Sequence, residues 1–182
     1  MIGAPSVGEA LDAFRHAHGL AADEQERRSW TCRLGPLTLR LPNWHWRRRA
    51  ILAHDLHHVL TGIPCTLAGE CQMAAWELGA GPMPHWGARL FCQPLVLIGL
   101  LWTPRRVWRA YLAGRRSQTL HRTGVTPGLL ATPLGLACTA FHIPFNVRAK
   151  LADRIRFAIL ISGAAAMLLA PVLPALWLLL AA

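Results

Sequence analysis

The sequence predicts an all-α protein, a helical bundle whose apolar C-terminal segment is associated with a membrane. Three features lead to this prediction. Of the 182 residues, 53% are hydrophobic and only 15% are charged, yet the formal net charge is +10. The mean hydropathy is +0.31. Residues typical of helix starts and helix ends occur repeatedly along the chain. The apolar content excludes an intrinsically disordered chain, and the length suits one domain with a hydrophobic core.

The first part of the chain is predicted to contain one helix and one short strand. Ser6 and Glu9 have the spacing of a capping box, which starts an amphipathic helix that runs to about His18. Residues 21–29 form a polar connection. Leucines then alternate with polar residues over 37–41, between two prolines, which indicates a short strand.

Four helical segments are predicted to follow. One begins after Pro42-Asn43 and ends at Gly62, and its apolar residues are spaced to bury one side. A second runs from about Leu67 to Leu78 and is stopped by Gly-Ala-Gly-Pro. The apolar run Leu90–Trp102 is too short to span a bilayer, which takes about 20 residues, so we expect a buried or interfacial helix. Residues 105–121 continue as a basic amphipathic helix.

The C-terminal segment, residues 157–182, has 26 residues without a charged side chain and follows four basic residues. We expect it to insert into a membrane or to form a membrane-embedded hairpin; the alternative is a buried helix. The basic flank places its N-terminal end on the cytoplasmic side. Residues 123–147 are uncharged but broken by three prolines. The chain is thus divided into a helical domain, residues 1–156, and a membrane segment, residues 157–182.

The charge is unevenly distributed along the chain. Residues 1–77 contain eight acidic and eight Lys or Arg residues, whereas residues 78–182 contain eleven Lys or Arg residues and one acidic residue. Basic residues beside apolar segments are attracted to an anionic membrane by about 1 kcal/mol each. We therefore expect a membrane partner and no nucleic acid. Five cysteines without a CxxC pair indicate a reduced, intracellular compartment, and the N-terminus lacks the pattern of a signal peptide.

Four residues are candidate metal ligands: His54, Asp55, His58 and Glu70. On a helix, His54 and His58 share one face, so both rings can reach one ion. Asp55 can approach that ion from its flank, and the turn after Gly62 can return Glu70 to it. Two imidazoles and one or two carboxylates suit Zn²⁺ or another divalent first-row metal. A carboxylate in an apolar helix is costly without a partner, which also favours a cation.

Two other interpretations use parts of the same motif. His54, His57 and His58 form HxxHH, a pattern of membrane di-iron oxygenases, but the other six histidines are scattered and form no second box. An adjacent His-Asp pair also occurs in HD-type phosphohydrolases. These enzymes need further His and Asp ligands, and Asp153 is the only acidic residue after Glu77.

The stretch HDLHHVLTGIPCTLAGECQMAAWELG resembles the coenzyme Q biosynthesis family known as Coq-four. The signature of that family is His-Asp, two residues, His, eleven residues and Glu, which positions 54, 55, 58 and 70 match. Residues 108–116, WRAYLAGRR, look like the family's segment rich in Arg, Tyr and Gly. The resemblance covers about residues 44–120.

The resemblance implies an all-helical fold in which these four residues hold a zinc or similar ion and act catalytically through it. It also implies a membrane-associated enzyme, a decarboxylase at the cytoplasmic face of the inner membrane. The substrate would be a polyprenylated hydroxybenzoate, a quinone precursor whose carboxyl group at ring carbon one is replaced by a hydroxyl. The alternative is a non-catalytic scaffold or prenyl-lipid-binding protein that organises other quinone biosynthesis enzymes.

Overall fold

The computed structural model describes residues 4–20, 26–34, 37–83, 85–144 and 147–170. These residues are mostly helical, with one two-stranded antiparallel sheet. In chain order the elements are α1 (Val7–Ala17), β1 (Ser29–Leu34), β2 (Leu37–Pro42), α2 (His45–Thr61), α3 (Leu67–Ala80), α4 (Trp86–Trp102), α5 (Pro104–Gly114), α6 (Leu120–Thr123), α7 (Pro127–Ala131), α8 (Leu134–Ala140) and α9 (Leu151–Leu169).

Capping interactions set the ends of the first helices as the sequence predicts. The Ser6 hydroxyl accepts from the Glu9 backbone N–H at 3.2 Å, and the Glu9 carboxylate accepts from the Ser6 backbone N–H at 2.8 Å. Gly62, with φ of 68°, ends α2 in the left-handed region. The Thr66 hydroxyl caps α3 by accepting from the backbone N–H of Gly69. The predicted start of α1, end of α2 and start of α3 are thus confirmed. Each could be predicted because it depends on neighbouring residues alone.

The prediction of a mainly helical fold is confirmed, but the structure also contains a β-hairpin, which an all-α fold lacks. The predicted strand is β2, which pairs with β1 from Ser29 opposite Pro42 to Leu34 opposite Leu37. The signal for β1 is the alternation of Trp30, Cys32 and Leu34 with polar residues. The sequence prediction did not include this strand.

The predicted basic helix over residues 105–121 is interrupted. Helix α5 ends at Gly114, and α6 begins only at Leu120 after the Thr119 hydroxyl accepts from the backbone N–H of His121. The break follows a close approach of α5 to α3, because a Cβ at Gly114 would overlap the carbonyl oxygen of Trp76. Glycine also has a low helix propensity, so both local and tertiary factors favour an end to α5 here.

The buried apolar side chains form two clusters. The first lies mainly among α3, α4, α5 and α9, with Trp76 and Met73 among its largest members. The second lies mainly among α1, α2, α6 and α8, with Val7, Leu56 and Leu120 at its centre. Helices α2 and α3 thus belong to different clusters. The two helices that contain the predicted ligands meet at the boundary between them.

Helix α9 begins at Leu151, before the predicted membrane segment, and ends at Leu169. Within the described ranges, no helix is both long and apolar enough to cross a membrane. Residues 171–182, the rest of the predicted membrane segment, lie outside the described residues. The membrane association of residues 157–182 therefore stays a prediction.

The close approach of α3 and α5 predicts that Gly114→Ala destabilises the protein. The added methyl group would have to displace the backbone of α3 at Trp76, so we expect the free energy of unfolding to fall by about 1–3 kcal/mol. Chemical denaturation measures this change. The control is Gly163→Ala in α9, where an added Cβ meets nothing within 4 Å and we expect no loss. Equal stabilities of the two variants would contradict the prediction.

Asp153 predicts a pH-dependent contribution to stability. The hydrogen bond from Arg116, with Nη2 to Oδ2 of 2.6 Å, lowers the pKa of this carboxyl from 3.8 to about 2. A carboxyl whose pKa is lower in the folded state stabilises the protein above its ordinary pKa and loses that contribution as pH falls. We therefore expect Asp153→Asn to lower the free energy of unfolding by about 1.5–3 kcal/mol at pH 7.

The same substitution is expected to have a much smaller effect near pH 2, where about half of the wild-type carboxyl is protonated and most of its pH-dependent contribution is lost. Denaturation curves of both proteins across this range measure the difference. A difference that does not shrink as pH falls would mean that the ion pair with Arg116 does not stabilise the fold.

Candidate metal centre

Helix α2 presents two imidazoles on one side, one helical turn apart. His54 Nε2 and His58 Nε2 lie 3.2 Å from each other. The Nδ1 atom of His58 lies 2.7 Å from the carbonyl oxygen of Ile63, which follows the end of α2. Because Nδ1–H donates to this carbonyl, the Nε2 atom of a neutral His58 has a free lone pair. His58 is thus fixed in the form that binds a metal ion.

The turn between α2 and α3 places a carboxylate opposite these imidazoles. Thr66 accepts from the Gly69 backbone N–H at 3.1 Å, and Gly69 lies so close to Pro64 that a Cβ would overlap the Pro64 carbonyl oxygen. The absence of a side chain at Gly69 lets the first turn of α3 fold back on this turn. Glu70, the next residue, then faces His54 and His58.

The ligand atoms of His54, His58 and Glu70 lie within 4.8 Å of one another, and each imidazole faces a different oxygen of Glu70. Glu70 Oε2 lies 3.1 Å from His54 Nε2, and Glu70 Oε1 lies 3.3 Å from His58 Nε2. Two ligands of one tetrahedral zinc ion, each about 2.0–2.1 Å from the metal, are about 3.3 Å apart. Three of the four predicted side chains are therefore positioned to hold one metal ion.

Asp55, the remaining predicted ligand, is not a member of that group. Its Oδ2 atom accepts from Arg15 Nη2 at 2.9 Å and from Arg15 Nε at 3.0 Å, an ion pair between α2 and α1. The three atoms that converge belong to His54, His58 and Glu70. The role of Asp55 as a metal ligand stays a prediction.

A second group of potential ligands lies next to the first. His57, Glu77 and His121 offer ligand atoms that lie within 4.8 Å of one another, and Glu77 Oε1 is also 3.2 Å from His54 Nδ1. In the sequence, His57 belongs to the HxxHH pattern and His121 is one of the scattered histidines. Glu77, a carboxylate in an apolar helix, is the sequence signal that indicates this group.

The charges in the two groups are strongly coupled. Burial opposes a positive charge on His54, but the Glu77 carboxylate and the hydrogen bond to Glu70 outweigh it and hold its pKa well above the usual 6.5. Burial alone would raise the pKa of Glu70, yet hydrogen bonds from His54 and His58 hold it below its usual range. Burial lowers the pKa of His57 to about 4. The carboxylates of Glu70 and Glu77 thus surround His54 with negative charge. A divalent cation bound there would neutralise this charge and release protons.

The candidate site is open to solvent on one side. The side chains of His54 and Glu70 are 31% and 28% exposed, whereas His58 is 1% exposed. The ring of Phe14, from α1, stacks on His58 with centroids 5.5 Å apart and planes inclined by 18°. A small molecule can therefore approach the ligand atoms from the side of His54 and Glu70.

No protein-family model, curated protein or solved structure matches this chain.

The geometry predicts that His58→Ala removes a metal site. We expect the purified wild-type protein to hold about one divalent ion per chain and His58→Ala to hold almost none, because a tetrahedral site of this kind needs all three protein ligands. Elemental mass spectrometry measures the stoichiometry. The control is His16→Ala, since His16 is an exposed histidine outside both groups. Equal metal contents in all three proteins would contradict the predicted site.

Proposed function

We propose that this protein is a metal-dependent enzyme in which His54, His58 and Glu70 hold one divalent ion, Zn²⁺ or another first-row metal. The observation that carries the proposal is the spacing of their ligand atoms, 3.1–3.3 Å, which suits a single tetrahedral ion. Three protein ligands leave one coordination position for substrate, as catalytic zinc sites require. The partial exposure of His54 and Glu70 gives substrate access to that position.

The resemblance to the Coq-four family suggests the substrate, a polyprenylated hydroxybenzoate. In the proposed reaction the carboxyl group at ring carbon one leaves as carbon dioxide, and its bonding electrons remain on the ring. A proton takes the place of the carboxyl group. Hydroxylation of that carbon is a separate two-electron oxidation, in which one atom of dioxygen enters the ring and the other is reduced to water by an external two-electron donor. The bound ion would supply Lewis-acid stabilisation of negative charge on the head group. His54, His58 and Glu70 would hold that ion at the open side of the site. Asp55, the fourth ligand that the resemblance implies, would join them only at a five-coordinate ion, which keeps a position for substrate.

A polyprenyl tail needs an apolar groove near the ligand residues. A cavity of about 620 Å³ is lined by Trp44, Trp46, Trp86, Leu90 and Phe91, together with His85 and Gly87. Trp46 lies on α2, eight residues before His54, which corresponds to roughly 12 Å along the helix axis. This aromatic cavity is therefore our candidate for the first isoprene units of the tail. It includes Leu90 and Phe91, the first residues of the apolar run Leu90–Trp102.

Exposed apolar side chains support the proposed membrane association at the cytoplasmic face of the inner membrane. Leu151, Ile155 and Ile159 recur every four residues on α9 and are 73%, 52% and 66% exposed. Arg154 and Arg156 lie between them in sequence. Apolar side chains with arginines close by are favourable at the interface of an anionic bilayer.

The same exposed surface favours the alternative function. A scaffold or prenyl-lipid-binding protein would need the apolar face of α9 and the aromatic cavity, but not an ion held by His54, His58 and Glu70. The two proposals therefore differ in what happens when a metal ligand is removed while the surface is left unchanged.

We expect the metal-ligand variants His58→Ala and Glu70→Gln to lose enzymatic activity. The assay uses purified protein in anionic vesicles, with dioxygen and a prenylated hydroxybenzoate labelled at the carboxyl carbon, and measures labelled carbon dioxide. Wild type and the exposed-site control His16→Ala should release it, and the ligand variants should not exceed background. In a quinone-deficient deletion strain, only wild type and the control should restore quinone synthesis. Rescue by both ligand variants at normal protein levels would overturn the enzyme proposal and support a scaffold.

A further inference from the structure

Glu77 is a buried carboxylate that lies at the meeting point of three imidazoles. Its side chain is 2% exposed, and its Oε1 atom lies 2.7 Å from His57 Nδ1, 3.2 Å from His54 Nδ1 and 3.2 Å from His121 Nε2. Two of these rings come from α2 and the third from α6. The group can be interpreted as a second metal site or as a network of hydrogen bonds, and the structure distinguishes the two.

The proton on His57 decides between these interpretations. The backbone N–H of Leu120 donates to His57 Nε2 at 3.0 Å, so Nε2 has no proton of its own. A neutral His57 therefore has its proton on Nδ1 and donates it to Glu77. An Nδ1 atom that bears a proton cannot bind a metal ion. If Nδ1 instead bound an ion, the proton of the neutral ring would lie on Nε2. Two N–H donors, those of Nε2 and of Leu120, would then face each other without an acceptor.

The distances agree with a hydrogen-bond network. The separation of 2.7 Å between His57 Nδ1 and Glu77 Oε1 is that of a short hydrogen bond. It is well below the spacing of about 3.3 Å for two ligands of one tetrahedral ion. The corresponding separations among His54, His58 and Glu70 are 3.1–3.3 Å, and those from Glu77 to His54 and His121 are 3.2 Å. The short contact therefore identifies His57 as a hydrogen-bond donor to Glu77.

We propose that Glu77 is the positioning residue of the metal centre: it accepts the Nδ1–H of His54 and so presents the unprotonated Nε2 of that ring to the ion. His57 and His121 hold the carboxylate in place. A carboxylate that accepts from the second nitrogen of a metal-binding histidine orients the ring and makes it a stronger ligand. This inference rests on the proposed metal site at His54, His58 and Glu70, but it can fail independently of that site.

The proposal also accounts for the charges of the buried groups. Glu70 and Glu77 together contribute two negative charges, one on each side of the His54 ring. A divalent cation at Nε2 would compensate both. The charge of the ion is the largest in such a site and sets the protonation of the groups around it.

The first test compares Zn²⁺ affinity in wild type, Glu77→Gln and Asp153→Asn by competition with a chromogenic chelator. Glutamine keeps the shape of Glu77 but loses the charge, and we expect the affinity to fall about 10- to 100-fold. The visible absorption spectrum of the Co²⁺-substituted variant should change as well, because the orientation of the His54 ring changes. Asp153→Asn is the matched control: it also removes a buried, hydrogen-bonded carboxylate, yet should leave affinity and spectrum as in wild type.

The second test needs no substitution. Long-range ¹⁵N–¹H correlation spectra of the wild-type protein with Zn²⁺ report which nitrogen of each histidine bears a proton. We expect a proton on Nδ1 of His54, His57 and His58 and none on their Nε2 atoms. A proton on His57 Nε2 would overturn the proposal, because Glu77 would then lack its shortest hydrogen bond.

The remaining outcomes are also decisive. Unchanged Zn²⁺ affinity and Co²⁺ spectrum in Glu77→Gln would overturn the positioning role while leaving the metal site intact. Two ions per wild-type chain, with the second lost in His121→Ala, would establish a second metal site instead. If the wild-type protein binds no stoichiometric ion, the proposed function fails together with this inference.

Discussion

The buried charge of Glu77 is the constraint on which the rest of this structure depends. A carboxylate withdrawn from water must be compensated by hydrogen bonds and by opposite charge. Here the hydrogen bonds come from imidazoles on α2 and α6, while Glu77 itself belongs to α3. These helices contribute to different hydrophobic clusters. A polar network at the boundary therefore joins the two apolar halves, alongside ring contacts such as that of His57 with Trp76.

The candidate metal centre extends across the same boundary. His54 and His58 belong to the α2 side, and Glu70 belongs to the first turn of α3. Their spacing thus depends on how the two halves meet, and that arrangement is set by the turn at Gly69 and by Glu77. Folding and metal binding share one set of contacts. A bound ion would stabilise the contact between α2 and α3, and that contact in turn holds the ligand atoms in position.

The sequence predicts the features that depend on neighbouring residues. The Ser6–Glu9 capping box, the end of α2 at Gly62 and the one-turn spacing of His54 and His58 are all local. Features that depend on distant contacts were missed. Helix α5 stops where Gly114 meets Trp76, and His121 reaches Glu77 across 44 residues of sequence. Periodicity cannot reveal such contacts, although an isolated acidic residue in an apolar helix indicates that a partner must exist.

The stacking of Phe14 on His58 has a consequence for the order of events at the site. This ring covers the ligand on one side, so among the described residues the ion and the substrate share the approach past His54 and Glu70. A substrate bound there would block the path of the ion. Under the proposed function, loading would therefore be sequential, with the metal entering the empty protein first and leaving only after product has gone. Metal exchange should accordingly be slow in the presence of a tightly bound product.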